Sequence, residues 1–507
     1  MATDPENAGT VIGEGEYTAG TEVSVETMPN LEYLFLHWID EDDNVVSSDA
    51  NFDYVMPSEN VTLTAVFDEI VKEGQVYNVD KDKYYNEIQA AIDDAEPGHT
   101  MLAGAGMYPE RVEVSDLVNI QLIGSVDGDG KPTSIIDHTA LEGTGNGIRV
   151  TNSANSTIRN FEVTGAKGTS GDNRGWGILV SDSDGAEIEN IYSHNNAADG
   201  IRVRRSVDAT VKNCVSINNS DGITFYAYGQ ILNNVVGNST MRGIYVNGEQ
   251  VGGGKTGTVT ISGNEVYNNE NAGAIGSSDQ RVGGIIVYSA AHVPAVLSVE
   301  IEDNIVYENT GPGILLYKVN NEHIDGSSSN PGQAVSSENE SIVKGNIIYG
   351  NNTRPSMGFG DGILLYMSHY VIIDDNEIYE NEEAGIRLTN SYRYNQFGPT
   401  TNNKVIGNNI YDNPTALLIQ GGTNYQVTDT TVKNNKLLSV GFGLNNLNNG
   451  DVIVDATENW WGDGTGPSGG VNDPDTNMTA DGHGSEVSED VQFDPWYDDE
   501  EMTTLSD

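Results

Sequence analysis

One phrase recurs along most of this chain: glycine, isoleucine, any residue, then valine, leucine or phenylalanine. It reads GIRV at Gly147, GILV at Gly177, GIRV at Gly200, GITF at Gly222, GIYV at Gly243, GIIV at Gly284, GILL at Gly313 and Gly362, and GIRL at Gly385. A second phrase lies between the copies, as in EIENIYSHNN, TISGNEVYNNE, NIVYENT and NEIYENE. Where the copies are tightest the glycines are about 22 residues apart, a period that means stacked repeats. Short alternating apolar runs, punctuated by Gly and Asn, make each repeat a coil of β-strands. Such a coil buries its apolar face only against its neighbours. Leucine-rich repeats are the competing reading, but their L-x-x-L-x-L spacing is missing. The wider gaps, such as Gly313 to Gly362, imply inserted loops or extra turns. Asn190, Asn213, Asn264, Asn304, Asn346 and Asn376 recur at matching positions. Asn tolerates the left-handed backbone of a tight corner, and stacked side-chain amides bond coil to coil.

Charge narrows the partners. Asp and Glu number 76 against 24 Lys and Arg in 507 residues, a net charge of −52. Nucleic acid and anionic membranes are polyanions, so neither is an expected partner. A strongly hydrated acidic surface suits a high-salt habitat, where self-repulsion is screened. An acidic protein from an ordinary habitat is the alternative. The lone Cys214 excludes an intramolecular disulfide framework and any Cys-based metal site. It stands at a repeat position, which makes it a packed, inert thiol. No apolar run reaches the ~18 residues of a membrane span. The opening MATDPENAG does not read as a signal peptide, so export is not directly legible from it.

Three segments are expected: residues 1–73, 74–458 and 459–507. In the first, TEVSVET and VTLTAVF alternate as half-buried strands do. Gly15 to Val23, Phe35 to Trp38 and Met56 to Phe67 together resemble the divergent internalin-type B-repeat, which implies an extracellular spacer or adhesion module. YYNEIQAAIDDAEPG, Tyr84 to Gly98, reads as the one clear helix, with Tyr84, Ile88, Ile92 and Ala95 on one face and Pro97-Gly98 as its stop. That helix, the following HTMLAGAGMYPERVEV, the repeats, and the closing NWWGDGTGPSGG resemble the right-handed parallel β-helix proteins of the pectin-lyase-like superfamily. Within it the likeness is to the carbohydrate-binding and sugar-hydrolase group. The resemblance runs from about Tyr84 to the end. It implies an all-β fold: a right-handed parallel β-helix (β-solenoid) with an N-terminal helix cap, preceded by a small β module and closed by an extended C-terminal cap. The superfamily includes lyases, hydrolases, epimerases and adhesins, so the fold does not fix the function.

Candidate sites follow from strand alternation. If Ile314 and Leu316 point inward, Leu315 and Tyr317 point out. Four residues after each glycine the outward column reads Thr151, Ser181, Arg204, Tyr226, Asn247, Tyr288, Tyr317, Tyr366 and Thr389. Two after, it reads Arg149, Leu179, Arg202, Thr224, Tyr245, Ile286, Leu315, Leu364 and Arg387. Tyr226, Tyr288, Tyr317 and Tyr366 are therefore expected to form an exposed aromatic ladder on which sugar rings stack. His292 and His369, with His323, fall in inserts expected to wall that groove. The alternative is that the tyrosines stack on one another for stability and loops cover them.

Arg202, Arg204 and the neighbouring Arg205 form the densest basic cluster. In polysaccharide lyases and epimerases a cation neutralises the uronate carboxylate so that the α-proton can leave. Pairing of these arginines with nearby carboxylates is the bland reading. The Asp-Pro-His-Glu motif of alginate epimerases is absent. Asp199 and Asp221 precede successive glycines, and Asp361 repeats the position. Stacked carboxylates repel unless a cation or shared proton lies between them, which suggests Ca²⁺ or a hydrolytic carboxylate pair. Asp-Gly turn chemistry is the alternative. Asp127 and Asp129, and Asp182 and Asp184, mark two more acidic loops able to take Ca²⁺. The expectation is a secreted or cell-surface protein that engages a polysaccharide as adhesin or matrix component. A polysaccharide lyase, hydrolase or epimerase is the second reading, and a self-assembling surface-layer or filament subunit the third.

Overall fold

The computed structural model describes the chain apart from residues 31–32, 169–170, 172, 249–256, 271–281, 290–296, 323–332, 335–339, 354–358, 391–398, 423–424, 450–451 and 507. The first segment is two small sheets. Gly9–Ile12, Glu22–Pro29 and Asn51–Val55 form one. Ala2–Asp4, Thr64–Glu69, Tyr33–Ile39 and Val45–Ser47 form the other. Trp38, Val25, Ala65 and Phe67 are buried together between them.

The repeats wind into a parallel β-helix, most coils contributing three strands that pair in parallel with the coil before. One ladder runs through the glycine phrases: Ile148–Thr151, Ile178–Ser181, Ile201–Arg204, Asp221–Tyr226, Arg242–Asn247, Gly283–Tyr288, Ile314–Tyr317, Ile363–Tyr366 and Ala384–Thr389. The wide gap between Gly313 and Gly362 adds no coil, since Ile314–Tyr317 pairs directly with Ile363–Tyr366. The repeated glycine is explained by its neighbours. A Cβ on Gly177 would lie 2.5 Å from the carbonyl oxygen of Gly200, and one on Gly313 2.8 Å from that of Gly362. Each coil's backbone occupies the space a side chain would need. Alternate residues such as Ile314, Leu316, Ile363 and Leu365 fill one continuous apolar core.

The recurring asparagines divide into two kinds. Asn190 and Asn213 adopt left-handed backbone, with φ of 48° and 54°. At Asn264, Asn304, Asn346 and Asn376 the left-handed residue is the preceding one: Gly263, Asp303, Gly345 and Asp375. These four are buried inside the coil, in a ladder that runs from Asn234 to Asn459. Each backbone N–H and Nδ2 donates to the Oδ1 of the next asparagine at 2.8–3.0 Å. A parallel ladder runs through Asn269, Asn309, Asn351, Asn381 and Asn413. Buried polar groups satisfied in this way fix register as well as stability.

The expected helix from Tyr84 to Gly98 is a short one, Ile88–Asp93. Lys83–Tyr85 is instead a strand paired with Val76–Asn78, and Tyr84 is half-exposed against Tyr77 rather than in the core. Ile88, Ala91 and Ile92 pack over the first coil, and the Glu110 carboxylate accepts the N–H groups of Ile88 and Gln89 at 2.7 and 2.8 Å. Strand pairing wins over the helical periodicity because Tyr77 and Tyr84 face each other across it. The closing segment is not merely extended. Glu486–Val487 and Val491–Gln492 pair in parallel with the last coil, and Trp461 and Phe493 join the core.

Candidate functional site

The glycine ladder places both outward columns as alternation requires. Arg149 pairs with Leu179, Leu179 with Arg202, Arg202 with Thr224, and Thr224 with Tyr245. Ser181 pairs with Arg204, Arg204 with Tyr226, and Asn247 with Tyr288. The residue before each glycine makes a third column, in which Trp176, Asp199, Asp221 and Arg242 fall on successive coils. The N–H of Gly177 donates to the Asp199 carbonyl, that of Gly200 to the Asp221 carbonyl, and Asp221 pairs with Arg242.

These columns meet in one cluster. The guanidinium carbon of Arg202 lies 5.1 Å from the Trp176 ring centroid and 4.5 Å from that of Tyr226. Arg204 lies 5.9 Å from Trp176, and Arg242 4.1 Å from Tyr245. Tyr226 and Tyr245 meet edge to face at 5.8 Å. The rings' negative faces hold the cations in place. Arg202 also bonds the Asp199 carboxylate at 2.8 Å, and Arg242 grips Asp221 through two bonds of 2.7 and 3.1 Å. Two buried polar atoms at paired positions, Arg202 Nε and Thr224 Oγ1, have no hydrogen-bond partner.

Asp199 and Asp221 thus stand on successive coils, and each carboxylate is paired with an arginine rather than left facing its neighbour alone. Burial raises the Asp221 carboxyl, with Arg242 opposing and Asp199 reinforcing the shift. Asp361 repeats the pattern with Arg387 at 3.0 Å, and burial raises it to about 6. Asp182 is held by Arg205, which lowers its carboxyl, and Asp184 accepts the N–H of Val207. Asp127 accepts the N–H groups of Asp129 and Lys131 in a turn. No group of three or more His, Cys, Asp or Glu side chains is poised for a metal ion among the described residues.

The tyrosine ladder exists, but it is not exposed. Tyr288 lies 4.9 Å from Tyr317, and Tyr317 4.7 Å from Tyr366. Tyr317 is 9% exposed and Tyr366 3%. Together with Leu315, Leu364 and Met367 they form a second small core outside the coil. Their faces are turned to one another, so a sugar ring cannot stack on them. Tyr226 and Tyr288 are half-buried and keep an accessible edge. His369 is fully buried and forms no groove wall; neither ring nitrogen has a partner, and desolvation lowers it to about 4. His292 and His323 lie outside the described residues. Cys214 is buried, and desolvation pushes its thiol up to about 12.

Sequence reasoning missed Trp176 and Arg242. Both stand immediately before a glycine of the phrase, so reading that column in every coil would have found them. It also missed a second tyrosine ladder on another face: Tyr267, Tyr307, Tyr349, Tyr379 and Tyr411, stacked 4.9–5.4 Å apart and within 12° of parallel.

The profile of the right handed beta helix region matches residues 122–282 and 283–458, more than half of the chain. The chain belongs to the right-handed β-helix family. Ahead of the β-helix, residues 1–71 match the divergent InlB B-repeat domain. No curated protein sequence matches this β-helix protein. Among solved structures it is similar to a mannuronan C-5 epimerase A-module from Azotobacter vinelandii, at 17% identity over 69% of this chain and 90% of that one, with a TM-score of 0.44. It is similar to the catalytic domain of an α-1,3-glucanase, at 12% identity over 87% and 86%, with a TM-score of 0.44. A third is the tailspike protein of an E. coli bacteriophage in complex with a pentasaccharide, at 12% identity over 69% and 73%, with a TM-score of 0.41.

Proposed function

We propose that this β-helix binds a polysaccharide on the outer face of its glycine ladder, centred on Trp176, Arg202, Tyr226, Arg242 and Tyr245. The observation that carries the reading is the clasp on Arg202. Its guanidinium is held between two aromatic rings, while its Nε and the neighbouring Thr224 Oγ1 are buried without partners. Buried polar atoms are normally satisfied. A sugar hydroxyl can both accept from Arg202 and exchange a bond with Thr224, and the aromatic edges suit its C–H surface. Stacked coils repeat every ~4.8 Å, which gives a linear polymer a column of similar sites. The B-repeat module fits a secreted or surface-attached binder, an adhesin or matrix component.

A second reading, glycoside hydrolysis, is favoured by Asp199 and Asp221. The raised Asp221 is able to hold a proton, and its ion-paired neighbour is a carboxylate on the adjacent coil. One screen separates the two. Neutral and uronate-containing polysaccharides are tested in high salt, with Ca²⁺ and with chelator, for binding and for new reducing or unsaturated ends. Binding without products is the expected result. Products would establish the enzyme, and silence across the panel would contradict both.

A further inference from the structure

The N-terminal module differs in charge from the rest of the chain. Residues 1–71 hold 16 Asp and Glu and no Lys or Arg, while the other 60 acidic residues share the chain with all 24 basic ones. A uniformly acidic chain would have given the module several bases. Glu22, Glu26 and Asp53 stand exposed on one face of the sheet formed by Gly9–Ile12, Glu22–Pro29 and Asn51–Val55. Ser24 pairs with Asp53 and Glu26 with Asn51, so the three acids lie on two neighbouring strands.

Asn51–Val55 is also an open edge. Among the described residues it pairs only with Glu22–Pro29. The Met56 N–H donates to the Thr21 carbonyl at 2.9 Å, and the Thr27 N–H to the Ala50 carbonyl at 3.1 Å. Backbone groups alternate in direction along a strand, so those of Phe52 and Tyr54 face that partner while those of Asn51, Asp53 and Val55 face outward. Such a row is a template for a further strand. The side chains of Phe52 and Tyr54 turn into the module, and a cleft of about 640 Å³ opens beside the end of the strand. Tyr54, Met56 and Val25 line it, with Glu14, Glu16 and Glu59 exposed around it. The Met1 amino group, 3.6 Å from Glu14, is the one cation among its described lining residues.

We propose that this module captures a partner protein by strand addition: an extended segment of alternating basic and apolar residues pairs with the open edge of Asn51–Val55. Main-chain bonds to Asn51, Asp53 and Val55 supply affinity, and alternate side chains supply specificity. Those beside the outer face meet Asp53 directly, with Glu22 and Glu26 one strand beyond, and opposite charges across a sheet attract. Those on the other side of the added strand reach the cleft walled by Tyr54 and Met56, which suits apolar groups. A second copy of this chain is a poor occupant. Pairing antiparallel about Asp53 would set two Asp53 carboxylates opposite each other and join two modules that lack any Lys or Arg.

The test is a fluorescence-anisotropy titration of the full chain in about 0.5 M salt, which screens charge attraction beyond a few ångströms. The probes are three dye-labelled octapeptides. One alternates lysine and valine, and one alternates glutamate and valine. The third is the lysine peptide N-methylated through its central four residues, which keeps the charge and removes backbone donors on both edges. Wild type should bind the lysine peptide about tenfold or more tighter than either of the others. Asp53→Lys should remove that preference while melting like wild type. Val55→Pro should also remove it, since proline is tolerated on an edge whose N–H faces solvent yet blocks pairing there. Glu501→Lys makes the same charge change in the C-terminal segment and should keep the preference. Equal affinity for the N-methylated peptide would reduce the binding to charge attraction and overturn the proposal. No binding of the lysine peptide would overturn it, as would an Asp53→Lys variant indistinguishable from Glu501→Lys.

Discussion

The ring of Tyr267 lies flat against Gly237. The two are paired on neighbouring coils, and a Cβ on Gly237 would sit 2.5 Å from the ring's Cζ. Gly237 is thus the floor on which the five-tyrosine stack begins. Gly237→Ala should tilt Tyr267 off the stack and cost about 1–3 kcal/mol, as overpacking does. Chemical denaturation together with near-ultraviolet circular dichroism of the tyrosines would show both effects.

Asn346 is a link in the interior ladder. It accepts from the backbone N–H and Nδ2 of Asn304 and donates through its own N–H and Nδ2 to Asn376. Asn346→Ala leaves two buried donors of Asn304 without their acceptor. A loss of about 2–4 kcal/mol is expected, more than a surface asparagine would cost. Denaturant midpoints for this variant and wild type measure the loss.

Tyr366 supports the fold rather than offering a face to sugar. It is buried against Tyr317 and Met367. Tyr366→Ala should therefore destabilise by about 3 kcal/mol or more through the cavity it leaves. A melting temperature equal to wild type would show that the ring is not packed as described.

His369 makes stability depend on pH. Its folded value is lowered from 6.5 to about 4 by desolvation, so between those values the unfolded chain binds the extra proton. Its contribution is present above pH 6.5 and lost as pH falls towards 4, to an extent of about 3 kcal/mol. Asp361 acts the other way. Its carboxyl is raised from 3.8 to about 6, so its contribution declines as pH rises across that window. His369→Leu should shrink the acid-side loss, with the part owed to His138, which burial also lowers, remaining. Urea unfolding across this range, compared by slope rather than absolute value, checks the sign.

Much of this was legible in the sequence because a β-coil has one simple rule. Once the glycines are aligned, period-two alternation fixes which residues point out, and Arg202, Arg204, Tyr226, Tyr288, Tyr317 and Tyr366 all fall in the register it gives. Exposure was not legible. Whether Tyr317 reaches solvent depends on Leu315, Leu364 and Met367 gathering around it outside the coil, and alternation says only that they point the same way. The arginine partners of Asp199, Asp221 and Asp361 were hidden for a related reason. Arg202 reaches back three residues within its own coil, whereas Arg242 and Arg387 reach across to the previous one. The short helix shows a third limit: helical periodicity from Tyr84 onwards was overridden by a strand pairing with residues before it.

The most direct test of the central claim is to take the best-bound glycan of the screen and titrate it against wild type, Tyr226→Ala and Tyr379→Ala. Tyr226 touches Arg202 and Tyr245 at the proposed site, whereas Tyr379 belongs to the stack on the other face. The account predicts that Tyr226→Ala weakens binding about tenfold while Tyr379→Ala leaves it unchanged. Equal affinity for wild type and Tyr226→Ala would contradict it.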